Sequence, residues 1–279
     1  MKFTKMHGAG NDYVYINGFT EKMSQEDKPE WVRKISDRHF GIGSDGAIFI
    51  NPSEEADFEM EMYNADGSRS EMCGNGIRCV GKYVYDKGLT DKDRISVISG
   101  GKVKYLDLTI ENGKAVQIKV NMGEPILESK LVPVVSENDQ VIHEDIFIPE
   151  KEETYQMTCV SMGNPHAVVF MDDVKNLEIE KIGPYFENHS RFPNRTNTEF
   201  VKVLDRNHVE MRVWERGSGE TLACGTGCCA TAVACILNGL TENEVTVHVL
   251  GGKIKIFWDR ESNLVYMTGP AEIVFEGEI

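Results

Sequence analysis

The chain has 279 residues, with 45 acidic against 30 basic side chains and a formal charge of −15. Hydrophobic residues at 41% and charged residues at 27% exclude global disorder and suit one large or two modest globular domains. So acidic a surface repels phosphate backbones and anionic bilayers, so neither nucleic acid nor a membrane is an expected partner. A local pocket can still oppose that field and take an anionic small molecule.

In chain order, no apolar run follows Met1–Gly8, and no secretory signal is expected. Strands are predicted over residues 13–17, 47–51 and 58–64, with a helix over 30–38. Residues 57–63 alternate polar and apolar, the pattern of a half-buried strand. A second helix is predicted over 75–87, closed by Gly88, and a third over 226–238, closed by Gly239. Strands then fall at 95–98, 102–110 and 116–121, and again at 245–249, 253–258 and 264–268. Each half therefore carries many short strands and one apolar helix. The stretch 223–237 is too short to span a bilayer and, rich in Ala, Cys and Gly, reads as a helix wrapped on all sides by sheet. A hinge is expected near residues 121–125.

A shift of 151 residues lays the two halves over each other without a gap from Cys73 to Lys104, with ten identities in 32 positions. Chance would give roughly two. Cys73-Gly74-Asn75-Gly76 falls on Cys224-Gly225-Thr226-Gly227, Asn64 on Glu215, and Gly46 on Asn197; an offset of 153 lays Asn11 on Asn164. The expected fold is α/β (α+β): two pseudo-symmetric domains from a duplication, each a mixed, mostly antiparallel sheet or barrel around a central helix.

The duplicated Cys-Gly-x-Gly carries the chemistry. Each cysteine directly precedes a helix, where unpaired N–H groups favour a thiolate and lower its pKa. The glycines let a ligand reach the backbone, whose N–H groups can hold a carboxylate. The odd count of seven cysteines argues for free thiols in a reducing compartment, and Cys79, Cys228, Cys229 and Cys235 are expected in the core. No C-x2-C pair or H-E-x-x-H motif is present, so no metal is expected. Gly41-Ile42-Gly43-Ser44-Asp45-Gly46 fits a dinucleotide fingerprint, but a helix precedes it and a strand follows, so it reads as a turn. Asn11, Asn64, Asn164 and Glu215 form a set at strand ends in both halves and resemble a cleft lining. A thiol redox or metal-binding protein without turnover stays open on these residues.

The chain resembles the diaminopimelate epimerases. The residues that carry this are Met6-His7-Gly8-Ala9-Gly10-Asn11-Asp12, Tyr63-Asn64-Ala65-Asp66-Gly67-Ser68, and Met72-Cys73-Gly74-Asn75-Gly76-Ile77-Arg78-Cys79. They continue with Gly163-Asn164-Pro165-His166, Arg195-Thr196-Asn197-Thr198-Glu199-Phe200, Trp214-Glu215-Arg216-Gly217-Ser218-Gly219-Glu220-Thr221, and Ala223-Cys224-Gly225-Thr226-Gly227. The resemblance implies a cofactor-independent epimerase that converts LL-2,6-diaminopimelate to the meso form, for lysine and peptidoglycan synthesis. It implies domains over 1–121 and 122–268, a strand at 269–279 returning to the first, and an active site in the cleft between them. Cys73 and Cys224 would be the catalytic pair, and His166 and Glu215 would tune the thiols. Asn11, Asn64, Asn164, Asn197, Glu215 and Arg216 would contact substrate, and backbone groups of Gly74, Asn75, Gly225 and Thr226 would hold its carboxylate. Many members carry Gln where this chain has Gly46, so that contact is absent or replaced. The expected partner is the small-molecule substrate, in the cytoplasm, with a homodimer as the assembly to test. A proline or hydroxyproline racemase is the nearest rival; Asn64, Asn197 and Arg216 argue against it, since proline lacks a second amino-acid end.

Overall fold

The computed structural model describes residues 1–70 and 73–279; Met72, which opens the first cysteine motif, lies outside the described residues. The chain divides into two compact units, Met1–Asn121 with Thr268–Ile279, and Met122–Met267.

In the first unit, strands β1 (Lys2–Gly8) and β2 (Asn11–Asn17) lead to helix α1 (Lys28–Ser36). Strands β3 (Gly46–Asn51), β4 (Phe58–Asn64) and β5 (Arg69–Ser70) precede helix α2 (Gly74–Asp86). Strands β6 (Arg94–Ser99), β7 (Lys102–Glu111) and β8 (Lys114–Gly123) follow. In the second, β9 (Glu144–Ile148), β10 (Glu153–Ser161) and β11 (Pro165–Phe170) lead to helix α3 (Ile179–Glu187). Next come β12 (Asn197–Val203), β13 (His208–Glu215), β14 (Gly219–Thr221) and helix α4 (Gly225–Leu237). The unit ends with β15 (Glu244–Val249), β16 (Gly252–Asp259) and β17 (Leu264–Gly269), and β18 (Glu272–Glu278) belongs to the first unit, paired antiparallel with β1.

The repeat is visible in the strand registers. Strands β2 and β3 pair in parallel with Val14 opposite Ala47, and β11 and β12 do so with Ala167 opposite Thr198. Antiparallel β3 and β4 set Ala47 against Tyr63, and β12 and β13 set Thr198 against Trp214. In both units the next partners are a short strand, β5 or β14, and a parallel strand, β6 or β15.

Both central helices end as their sequences require. Gly88 and Gly239 follow the last turns at φ of 69° and 67°, a conformation that costs glycine nothing. Helix α4 buries every residue from Gly227 to Ile236, so it has no solvent face. Helix α2 packs on β1, β2 and β7 and buries even Arg78.

Three expectations are corrected. Strand β4 is not half-buried: Met60, Glu61, Met62 and Tyr63 are all buried. Its polar face is absorbed by an ion pair, Lys28 to Glu61 at 2.5 Å, with the Tyr63 hydroxyl donating to the same carboxylate at 2.7 Å. The second half has a further helix, α3, beside the one predicted there, because Gly183-Pro184 hid it. The missing Cβ of Gly183 makes room for the Trp214 ring, whose Cδ2 would lie 2.4 Å from it. The predicted helices also begin one or two residues earlier than expected, within the ordinary fraying of helix ends.

Candidate active site

In the first unit, Cys73 caps α2 with extended backbone, φ −133° and ψ 112°. Its Sγ accepts from the Gly76 N–H at 3.2 Å and donates its proton to Asn11 Oδ1 at 3.0 Å. The Asn11 amide is aimed by Asp45, to which its Nδ2 donates at 2.8 Å. Asp45 also takes the backbone N–H of Asp12 at 3.1 Å and pairs with Arg38 at 2.9 Å. Arg38 in turn pairs with Asp12, which meets Lys5 at 2.5 Å. Burial alone would raise the Asp12 carboxyl, but Arg38 and Lys5 hold it below the usual range; burial and the neighbouring Asp12 charge raise Asp45. Beneath the helix, the Tyr15 hydroxyl donates to the Gly76 carbonyl at 3.2 Å, and burial pushes that phenol up. Gly8 lets β1 pass close to α2: a Cβ there would lie 2.9 Å from the Asn75 carbonyl.

Gly46 cannot take a side chain in this backbone. Its φ is 152°, and a Cβ would meet the Tyr63 carbonyl at 2.0 Å. It lies opposite Asn64, whose amide donates to Ser68 Oγ at 3.0 Å inside its own turn. The first unit thus brings Asn11 onto Cys73 and holds Asn64 in the β4–β5 turn.

In the second unit, Cys224 caps α4, φ −112° and ψ 113°. Its Sγ is 3.5 Å from the Thr226 hydroxyl. Glu215, at the end of β13, accepts from the Thr221 hydroxyl at 2.5 Å and is raised by burial. His166, fully buried on β11, sets Nδ1 2.7 Å from Glu199 Oε1 and Nε2 3.1 Å from Asn164 Oδ1. A ring with protons on both nitrogens satisfies both oxygens. Asn197 donates to the Pro165 carbonyl at 2.9 Å and accepts from the Arg216 N–H at 2.9 Å. The Arg216 guanidinium donates to the Asn194 carbonyl at 2.9 Å.

Helix α3 supports this loop. Glu187, in its last turn, accepts from Trp214 Nε1 at 2.7 Å, the Gly217 N–H at 2.9 Å and Arg195 at 2.8 Å. The residues on either side of Arg216 are therefore tied to one buried carboxylate. The structure gathers Asn164, His166, Asn197, Glu215, Arg216 and Cys224 around the ends of β11, β12 and β13 and the head of α4.

The expected lowering of both thiols by the helix ends does not hold at Cys224. Burial, then the carboxylates of Glu215 and Glu199, push that thiol well above its ordinary value; the Thr226 hydroxyl and the Gly227 N–H oppose them. Sequence reasoning missed Glu199 and Thr221. A charged residue inside the otherwise apolar and neutral run Thr198-Glu199-Phe200-Val201 was the available signal for the first.

Among the described residues, no cluster of three or more His, Cys, Asp or Glu could hold a metal ion, and no helix is long and apolar enough to cross a membrane. Cys79, Cys228, Cys229 and Cys235 are all buried in the core.

A family profile described as diaminopimelate epimerase matches residues 3–128 and 158–274. A diaminopimelate epimerase of Agathobacter rectalis is 61% identical over 100% of this chain and 99% of its own length. One of Methanococcus maripaludis is 55% identical over the same shares. Among solved structures, a probable proline racemase from Agrobacterium radiobacter K84 superposes with a TM-score of 0.74 at 11% identity, covering 100% of this chain and 92% of that one. A phenazine biosynthesis protein of the PhzF family from Bacillus anthracis gives 0.73 at 15%, covering 100% and 98%. These two likenesses show that the fold is shared.

Proposed function

Because the chain belongs to the diaminopimelate epimerase family and is an isomerase, we propose that it interconverts LL- and meso-2,6-diaminopimelate through Cys73 and Cys224, without a cofactor. The observation that carries the reading is the duplication itself: a cysteine caps the central helix of each unit, on the same pattern of strands.

Inverting a carbon centre needs a base on one face and an acid on the other. One sulfur, as thiolate, takes the α-proton and leaves the electron pair on the α-carbon and its carboxylate. The other, as thiol, returns a proton to the opposite face; the reverse reaction exchanges the roles. The α-proton is a weaker acid than a thiol by roughly ten pK units, on the order of 14 kcal/mol. Two helix N-termini aimed at the α-carboxylate counter that gap by stabilising the developing charge. In each unit the glycine at the third helical position, Gly76 or Gly227, lies against the capping sulfur, and the positions before it, Gly74 and Asn75, Gly225 and Thr226, take the carboxylate. Asn11 orients the first sulfur, as its 3.0 Å contact supports. Asn64, Asn164 and Asn197 fix the distal end, and Arg216 pairs with the distal carboxylate. His166 and Glu215 set the charge around the second sulfur. The product serves lysine and peptidoglycan synthesis, in the cytoplasm, from a homodimer.

The test is deuterium incorporation at the α-carbon of LL-diaminopimelate in heavy water. Incorporation with formation of the meso isomer is expected; a protein that exchanges no α-proton overturns the reading.

A further inference from the structure

The two halves differ at one buried position directly under the catalytic glycines. By the repeat, Ile48 on β3 corresponds to Glu199 on β12. A Cβ on Gly76 would meet Ile48 Cδ1 at 2.8 Å, and one on Gly227 would meet Glu199 Oε1 at 2.6 Å. The same space beneath the first helical turn is filled by a methyl group in one unit and by a carboxylate oxygen in the other.

Burying that carboxylate is costly. Glu199 is 0% exposed, and its Oε2 makes no hydrogen bond among the described residues. Its Oε1 is held by His166 Nδ1 at 2.7 Å. An isoleucine would serve packing as well, as the other unit demonstrates, so the charge calls for a reason other than stability.

We infer that Glu199 is a positioning residue for Cys224: its carboxylate, wedged between His166 and the first turn of α4, offsets the positive helix end and keeps the proton on that sulfur at rest. The inference rests on the two-thiol reading for its use in catalysis. The charged groups around Cys224 are Glu215 from β13, Glu199 from β12 and His166 from β11; β14 contributes the neutral Thr221, and the first turn of α4 carries no acid. Two carboxylates against one imidazole leave the site negative even with the ring doubly protonated, and a thiolate there would add to that charge. The contacts of Cys73 include the Gly76 N–H and the Asn11 amide oxygen, and Ile48 lies below where Cys224 has the Glu199 carboxylate.

The experiment reads each sulfur by its thiolate absorbance at 240 nm, which needs neither substrate nor access to a reagent. Cys224 is followed as the difference between Cys73→Ala and Cys73→Ala/Cys224→Ala, and Cys73 as the difference between Cys224→Ala and the same double variant. Cys224 should ionise at higher pH than Cys73. Glu199→Gln keeps the shape and an acceptor for His166, and should bring Cys224 ionisation down by about one pH unit, a tenfold rise in thiolate at fixed pH. Glu199→Ile installs the side chain of the other unit and should do the same, with Cys73 unmoved. Ionisation of Cys224 at or below that of Cys73 in the parent overturns the inference, whatever the variants do. So does a Cys224 curve unchanged in a folded Glu199 variant, or a shift of Cys73 as large as that of Cys224. Failure of the epimerase reading would appear in the deuterium experiment and leave these curves as they are.

Discussion

The head of α2 and the head of α4 are built from the same four-residue pattern, yet they surround their sulfurs with opposite chemistry. Cys73 receives an N–H from Gly76 and donates to the Asn11 amide, behind which stands the Asp45–Arg38–Asp12–Lys5 cluster. Cys224 is buried and lies beside two carboxylates. A helix N-terminus is one contribution to a thiol's acidity, and burial with two like charges outweighs it. The two heads share the backbone pattern and the sulfur; the side chains placed beneath them make the two groups unequal.

Removing either sulfur is the strongest way to break that comparison. Cys73→Ala and Cys224→Ala should each lower epimerisation by about 10²–10⁴-fold, the scale of positioned proton transfer, with circular dichroism unchanged. Parent-like turnover in either variant would show that one thiol suffices. Cys79→Ala and Cys235→Ala, buried in the cores, should keep turnover.

Arg216 has no cationic counterpart in the first unit, where the repeat sets Ala65. Arg216→Lys keeps charge and loses the two-pronged donor, so kcat/KM should fall by about 1.5–3 kcal/mol. Lysine, which lacks the distal carboxylate, should be a very poor substrate for the parent protein. Racemisation of lysine at a rate near that for diaminopimelate would remove Arg216 from the specificity site.

The core thiols, by contrast, should behave alike in the two halves. Burial pushes Cys79 in the first unit and Cys235 in the second up to about 12. In the unfolded chain both ionise near the ordinary value of about 8.5. The unfolded state therefore releases protons that the folded state keeps, so stability is whole below about pH 8.5 and falls as pH rises toward 12. Unfolding free energies from urea titrations should drop between pH 8 and 10 by roughly 2 kcal/mol per thiol, and the Cys79→Ala/Cys235→Ala variant should give a flatter curve. A parent curve no steeper than that variant's would mean these thiols are not sealed from water.

The smallest difference expected is between Gly76→Ala and Gly227→Ala. Both crowd the residue beneath, but Ile48 Cδ1 is the end of an unpinned side chain while Glu199 is held by His166. Gly227→Ala should be less stable than Gly76→Ala by about 1 kcal/mol or less in chemical denaturation. Equal losses would show that the two floors yield equally.

Much of this was legible before any coordinates. The cysteine caps, the glycines that close α2 and α4 and the all-round burial of α4 follow from short-range pattern, because capping and periodicity act within a few residues. What escaped depends on distant partners. Strand β4 looked half-exposed because Glu61 reads as a surface charge until Lys28 reaches it from α1. Helix α3 escaped because Gly183-Pro184 resembles a break, whereas Trp214 on β13 needs that bare backbone. At the site, Asn11, Asn64, Asn164 and Glu215 were grouped by type and repeat, whereas Asn197, His166 and Arg216 received their roles from the family resemblance. The electrostatics of Cys224 were not, because Glu199 reaches it from another strand and lacks a polar counterpart in the first half.

The pairing of β18 with β1 sets an order of assembly during synthesis. The second unit is one continuous stretch, Met122–Met267, and every strand it needs has been made before the chain is finished. The first unit is translated first, yet Lys2 has its partner Glu278 only once β18 has left the ribosome. Until then β1 presents an unpaired edge to the crowded surroundings of a nascent chain. The half made first is therefore completed last, and it is exposed for the whole time the other half takes to emerge.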